Sequence, residues 1–146
     1  MSRYFTLHEA ESILPLVSEW LESAIDAKEQ IGAIDGEMQE LSARVSMLGG
    51  IEVDPGHVTR RKLERKALIE SIEAAVREIQ SSGCLVKDLD MGLLDFPALL
   101  DGVEVYLCWK LGEPKIEWWH STHEGYSGRH RIVNEFGSDD PRRRPN

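Results

Sequence analysis

The chain has 146 residues, 41% of them hydrophobic and 29% charged, with a formal net charge of −9. That length suits one domain with its own core. The acidic balance argues against nucleic acid, which needs a clustered basic face, and against an anionic membrane surface. No stretch approaches the roughly 20 apolar residues of a bilayer span. The opening MSRYFTLHEAE has no basic region followed by an apolar run, so it does not read as a secretory signal. Two cysteines without an export signal point to reduced thiols and a cytoplasmic location.

Thr6 with Glu9 three residues later forms a capping box, which predicts a helix starting at Leu7. Apolar residues recur at helical spacing: Leu14, Val17, Leu21 and Ala24, then Ile34, Met38, Leu41, Val45 and Leu48. Steps of three and four are the coiled-coil interval. Between Ala24 and Ile34 the phase slips and Lys28 falls on the seam. Pro15 removes an amide donor and should kink the helix. Gly49-Gly50 ends it. Asp54-Pro55 opens a second helix, with proline at its first position. That helix carries Leu68, Ile69, Ile72, Ala75, Val76 and Ile79 and closes at Ser82-Gly83. The two helices predict an antiparallel hairpin over 6–82.

From Cys84 the period changes to two. Short strands are expected at Leu85-Val86 to Leu89, at Gly92 to Phe96 (ended by Pro97), at Val103 to Leu111 and at Ile116 to Ser121. Gly112-Glu113-Pro114-Lys115 is the turn between the last two. The sheet region covers 84–132. The fold class is α+β, a long antiparallel helical hairpin followed by a small antiparallel sheet. A single domain over 1–136 is followed by a polar, disordered tail over 137–146, where Arg142 to Arg144 sit beside Asp139 and Asp140.

Tyr4-Phe5-Thr6-Leu7 with Ile13-Leu14-Pro15, then Gly83-Cys84, Lys87-Asp88, Leu94-Asp95-Phe96-Pro97, Leu107-Cys108-Trp109-Lys110, Gly112-Glu113 and Trp119-His120 make a specific set. As a set they resemble a bacterial family named for domain of unknown function 2203. The likeness reaches to about Arg129. It implies the same hairpin-plus-sheet fold. It carries over no activity, cofactor or catalytic residue.

The chemistry-bearing residues gather in the last third of the chain. His120, His123 and Glu124 have a spacing that can serve a metal, with Cys108, Cys84, His57 and Glu104 as further donors. Against this stand the absence of CxxC and HExxH motifs and the strand register. If Leu111 faces Ile116, then Lys110 faces Glu117 and Trp109 faces Trp118, both favourable cross-strand pairs. Cys108 and His120 then lie on opposite faces and share no metal. A one-residue slip would bring Cys108 opposite His120. Gly125, Gly128 and Arg129 could form an anion pocket, or a surface loop whose arginine pairs with an acid. Asp88, Asp90 and Asp95 form an acidic group suited to a divalent cation or to solvation. Cys108 in mid-strand reads as a small buried hydrophobe rather than a nucleophile.

The leading expectation is therefore a non-catalytic interaction module. It would form a homodimer through apolar hairpin positions such as Ile31, Ile34, Met38 and Leu41, without nucleic-acid or membrane partners. The rival is a metal- or anion-binding protein, with or without catalysis, whose site lies around Cys108, Glu113, His120 and Arg129.

Overall fold

Both helices begin where their caps predict. The Thr6 hydroxyl accepts from the Glu9 amide at 3.0 Å, and the Thr6 amide donates to the Glu9 carboxylate at 3.1 Å. From this reciprocal cap α1 runs from Leu7 to Met47 as one helix through Pro15. Asp54 accepts from the Gly56 amide at 2.9 Å and starts α2, Pro55–Ser81. The computed structural model describes residues 3–49 and 53–136. Part of the glycine link and the whole 137–146 tail, with Arg142 to Arg144, lie outside the described residues. Among those described, no helix is long and apolar enough to cross a membrane.

The strands are β1 (Leu85–Asp88), β2 (Leu93–Leu100), β3 (Val103–Lys110), β4 (Trp118–Ser121) and β5 (His130–Arg131). They form one antiparallel sheet in the order β1-β2-β3-β4-β5. The architecture is α+β. One sheet face carries Leu94, Phe96, Ala98, Val105, Leu107 and Trp109. These join Leu14, Val17 and Leu21 of α1 and Ile79 of α2 in the core.

Beyond this core the hairpin is held differently. Ile34 is the last buried residue of α1. From there the helices are joined by polar pairs: Arg65 to both oxygens of Asp35 at 2.7 and 3.3 Å, and His57 and Arg61 to Glu37 at 2.6 and 3.1 Å. Lys28, where the apolar phase slips, pairs with Asp90 at the β1–β2 turn.

Four expectations need correction. The first is that β2 does not stop at Pro97. Its carbonyl accepts from the Phe5 amide at 2.7 Å, on the side where β1 has already ended at the Leu85–Asp95 pair. The missing proline N–H faces that same side, so no ladder bond is lost. The strand continues to Leu100 and turns through Asp101-Gly102, both at positive φ (51° and 80°), the two-residue hairpin turn that suits sheet twist.

The second correction concerns the β3–β4 register. Cys108 faces Trp118, Leu107 faces Trp119 and Tyr106 faces His120. The chain after β3 turns tightly, with the Lys110 amide donating to the Glu113 carboxylate at 2.6 Å and Trp109 Nε1 to the Glu113 carbonyl at 3.0 Å. Ile116 then enters the core, 2% exposed, and β4 starts two residues later than expected. Trp109 belongs to the helix-side face and Trp118 to the other. Glu117 pairs with Arg131 rather than Lys110.

The third is an added strand. His130 and Arg131 pair with Trp119 and Trp118. The fourth concerns the hairpin, where Ile34 is 6% exposed and therefore covered within one chain. Ile31, Met38 and Leu41 are half-buried.

The cap is open to test. Thr6→Ala should lower stability by about 1 kcal/mol, read as a lower denaturant midpoint at unchanged slope. The Thr6 amide holds the Glu9 carboxyl below its ordinary 4.5. That part of the cap is therefore present above pH 4.5 and lost as pH falls through the depressed value, so the Glu9→Gln defect should shrink on acidification.

Candidate metal centre

Residues directly opposite in an antiparallel pair share a face. Asp95 faces Cys108, Cys108 faces Trp118, and Tyr106 faces His120. Asp95, Cys108 and His120 therefore project from the sheet face opposite the helices. They come from β2, β3 and β4, the three central strands. Their exposures are 2%, 1% and 2%. One imidazole nitrogen, the thiol sulfur and one carboxylate oxygen all lie within 4.8 Å of one another.

The hydrogen bonds orient this trio. His120 Nδ1 lies 2.8 Å from the Ser121 carbonyl and Nε2 lies 3.0 Å from Asp95 Oδ1. A carbonyl only accepts, so Nδ1 carries the proton and donates. Nε2 then confronts a carboxylate oxygen. Two acceptors at that distance require a cation between them, either a proton or a metal ion. An imidazole that donates one N–H to a backbone carbonyl while presenting its other nitrogen inward is how metal-ligating histidines are held.

Cys108 is poor as a free nucleophile. Burial, then the Asp95 charge, push its thiol up to about 12, with Arg129 beside the sulfur pulling the other way. Both histidine nitrogens are engaged elsewhere, so neither serves as its base. A bound metal would reverse this, because coordination deprotonates the thiol.

The donor set fits a zinc-class ion. Ligands at about 2.0–2.3 Å in a tetrahedron stand roughly 3.3–3.8 Å apart, so the trio needs only small side-chain movements. Asp⁻ and Cys⁻ offset a divalent charge and leave the buried centre neutral. Thiolate and imidazole disfavour calcium and magnesium.

Other candidates lie elsewhere. His123 is exposed and offers its amide to Ser121 Oγ. Glu124 accepts from the Ser121 amide at 3.2 Å and faces His130 at 3.1 Å. Those two partners, Ser121 first, hold its carboxyl below the usual range. Neither residue joins His120. Cys84 is buried in the helix-side core, its thiol pushed up by burial and then by Asp95. His57 sits on the hairpin, and Glu104 lies beside Tyr106, whose hydroxyl it pushes up after burial does. The acidic group does not assemble: Asp88 caps the Met91 amide and Asp90 pairs with Lys28, while Asp95 turns into the sheet.

The Gly125–Arg129 loop spends its arginine and two of its amides on partners within the chain. The Gly128 amide donates to the Gly125 carbonyl and the Arg129 amide to the Tyr126 carbonyl. Arg129 Nη1 donates to both oxygens of Glu113 at 3.1 and 3.0 Å. This is the surface-loop alternative, with its arginine held by an acid.

Asp95 as the partner of His120 was missed from the sequence. The signal was available in Asp101-Gly102, because a two-residue turn there pairs 95 with 108.

No curated protein and no solved structure matches this chain. The residues that build the sheet and the trio all fall within a family-level match spanning residues 3–132, and the chain belongs to that family, described as an uncharacterized conserved protein, DUF2203.

Proposed function

We propose that this protein binds a zinc-class divalent metal ion through Asp95, Cys108 and His120. The observation that carries the reading is the confrontation of His120 Nε2 with Asp95 Oδ1 at 3.0 Å beside the Cys108 thiol. A proton or a metal ion must sit between these two atoms, and the third donor beside them is one that soft metals select. Three protein donors leave a fourth position for an exchangeable ligand, as in zinc sites that perform chemistry. The donors sit on adjacent central strands, which makes the geometry stiff.

Untagged protein purified without chelator should carry about one equivalent of zinc or a related ion. Cobalt loading should give a sulfur-to-metal charge-transfer band. Asp95→Asn, Cys108→Ser and His120→Gln should each weaken binding roughly tenfold or more, with circular dichroism checking the fold. Metal-free parent protein whose melting temperature does not rise with added zinc would overturn the reading.

A second reading, pairing of two chains through the hairpin, has its own support. A groove of about 420 Å³ on α2 is lined by Lys62, Arg65 and Lys66 at one end and by Glu70 and Glu73 at the other, around Ile69. Two copies laid antiparallel would set each basic end on the other's acidic end, with exposed Leu63 alongside. Sedimentation should show a dimer that weakens with salt. Lys62→Glu with Lys66→Glu should give monomer, and adding Glu70→Lys with Glu73→Lys should restore the dimer. A parent chain that stays monomeric at high concentration rules this pairing out.

A further inference from the structure

The helix-side face of the sheet is sealed by Leu94, Phe96, Leu107 and Trp109 against the hairpin. Anything that reaches the buried trio must therefore come from the opposite face. Arg129 lies over that face beside Cys108. Its guanidinium carbon is 4.7 Å from the centre of the Trp118 ring and 4.1 Å from that of Tyr126, and Trp118 is the residue paired with Cys108. Arg129 and Glu113 are 12% and 21% exposed at the side chain, so their ion pair sits at the boundary between solvent and site.

The two partners are mounted differently. Glu113 is fastened to the end of β3 by the Lys110 amide and the Trp109 indole. Arg129 sits on a segment built from a three-residue turn, Tyr126–Gly128, bonded within itself, and a two-residue strand tied to the sheet by the Arg131–Glu117 pair, the stacking of His130 on Trp119 and the Ile132 amide on the Glu117 carbonyl. A fixed jaw thus meets a jaw hinged on a short strand.

We infer that Arg129 and Glu113 form a latch over the trio, and that parting this pair lets the 125–131 segment swing aside and admits a metal ion to Asp95, Cys108 and His120. The admitted ion rests on the metal reading above. The latch itself can be measured without metal, because Cys108 becomes reachable when it opens.

The experiment is thiol labelling of the full-length, metal-free chain with a small alkylating reagent, followed by peptide mass spectrometry. Cys84, buried in the helix-side core, is the internal standard for global unfolding. Glu113→Gln should raise the Cys108 rate about tenfold relative to Cys84, since a local opening now costs less. Arg129→Gln should raise the ratio by a smaller factor, because it also removes the cation that favours the thiolate. The double variant should add little to Glu113→Gln, and Arg129→Lys should lie between the parent and Arg129→Gln. An unchanged ratio of the two rates, or both cysteines speeding up equally, would overturn the latch. Zinc uptake timed on the same proteins separates the two ideas. A raised ratio with no zinc binding sinks the metal reading and leaves the latch standing. Zinc binding at parental speed in the latch variants removes the latch as the entry route.

Discussion

Tyr106 against His120 and Cys108 against Trp118 are the β3–β4 pairs on which the rest of this molecule depends. In a strand, side chains alternate faces, so one residue of slip would move His120 to the helix side and Trp119 away from it. The observed pairing separates two chemistries. Apolar residues of the central strands meet the helices, and a carboxylate, a thiol and an imidazole meet one another on the far side. Ile116 in the core and Glu113 bonded at the end of β3 anchor the chain between the two strands.

Burying three polar groups together costs free energy unless each finds a partner. Here the compensation is local. The Ser121 carbonyl fixes the imidazole ring, and the Asp95 carboxylate faces its other nitrogen. The thiol lies beside Asp95 and Arg129, which push its ionisation in opposite directions. The arrangement is one in which positive charge is welcome at one point and reactivity of the free thiol is suppressed. The same three central strands that give the sheet its stiffness also set the distances between these groups.

How much of this was legible follows from what each signal measures. Thr6 with Glu9 and Asp54 with Pro55 announced the helix starts because caps are local hydrogen bonds between neighbours in sequence. The α+β organisation followed from the change of period at Cys84. Pro97 was misread because a missing donor matters only if a strand lies on that side, and the edge there is met by Phe5 through the proline carbonyl. The register was misjudged on the strength of a Lys110–Glu117 pair and a tryptophan pair, contacts worth about 0.2–1 kcal/mol each. The observed register packs Trp119 against the helix-side core and sets the His120 imidazole beside Asp95, and burying a large apolar side chain is worth roughly 1.5–3 kcal/mol. The bond between His120 and Asp95 joins residues 25 apart in the chain. It becomes visible only once two registers are known, of which Asp101-Gly102 declared one.

The change of cohesion along the hairpin has a consequence for how the molecule answers its surroundings. Over the sheet, α1 and α2 are held by apolar residues removed from water, an attraction that follows temperature and is not weakened by charge screening. Past Ile34, where Met38 and Leu41 are only half-buried, half-exposed charges supply the ties between them, Arg65 with Asp35 and Arg61 and His57 with Glu37. Such attractions fade as dissolved ions gather between the partners, over a screening distance of about 8 Å at physiological ionic strength. The protein is thus a heat-responsive base carrying a salt-responsive arm. Its far end can loosen in brine while the strands beneath stay paired.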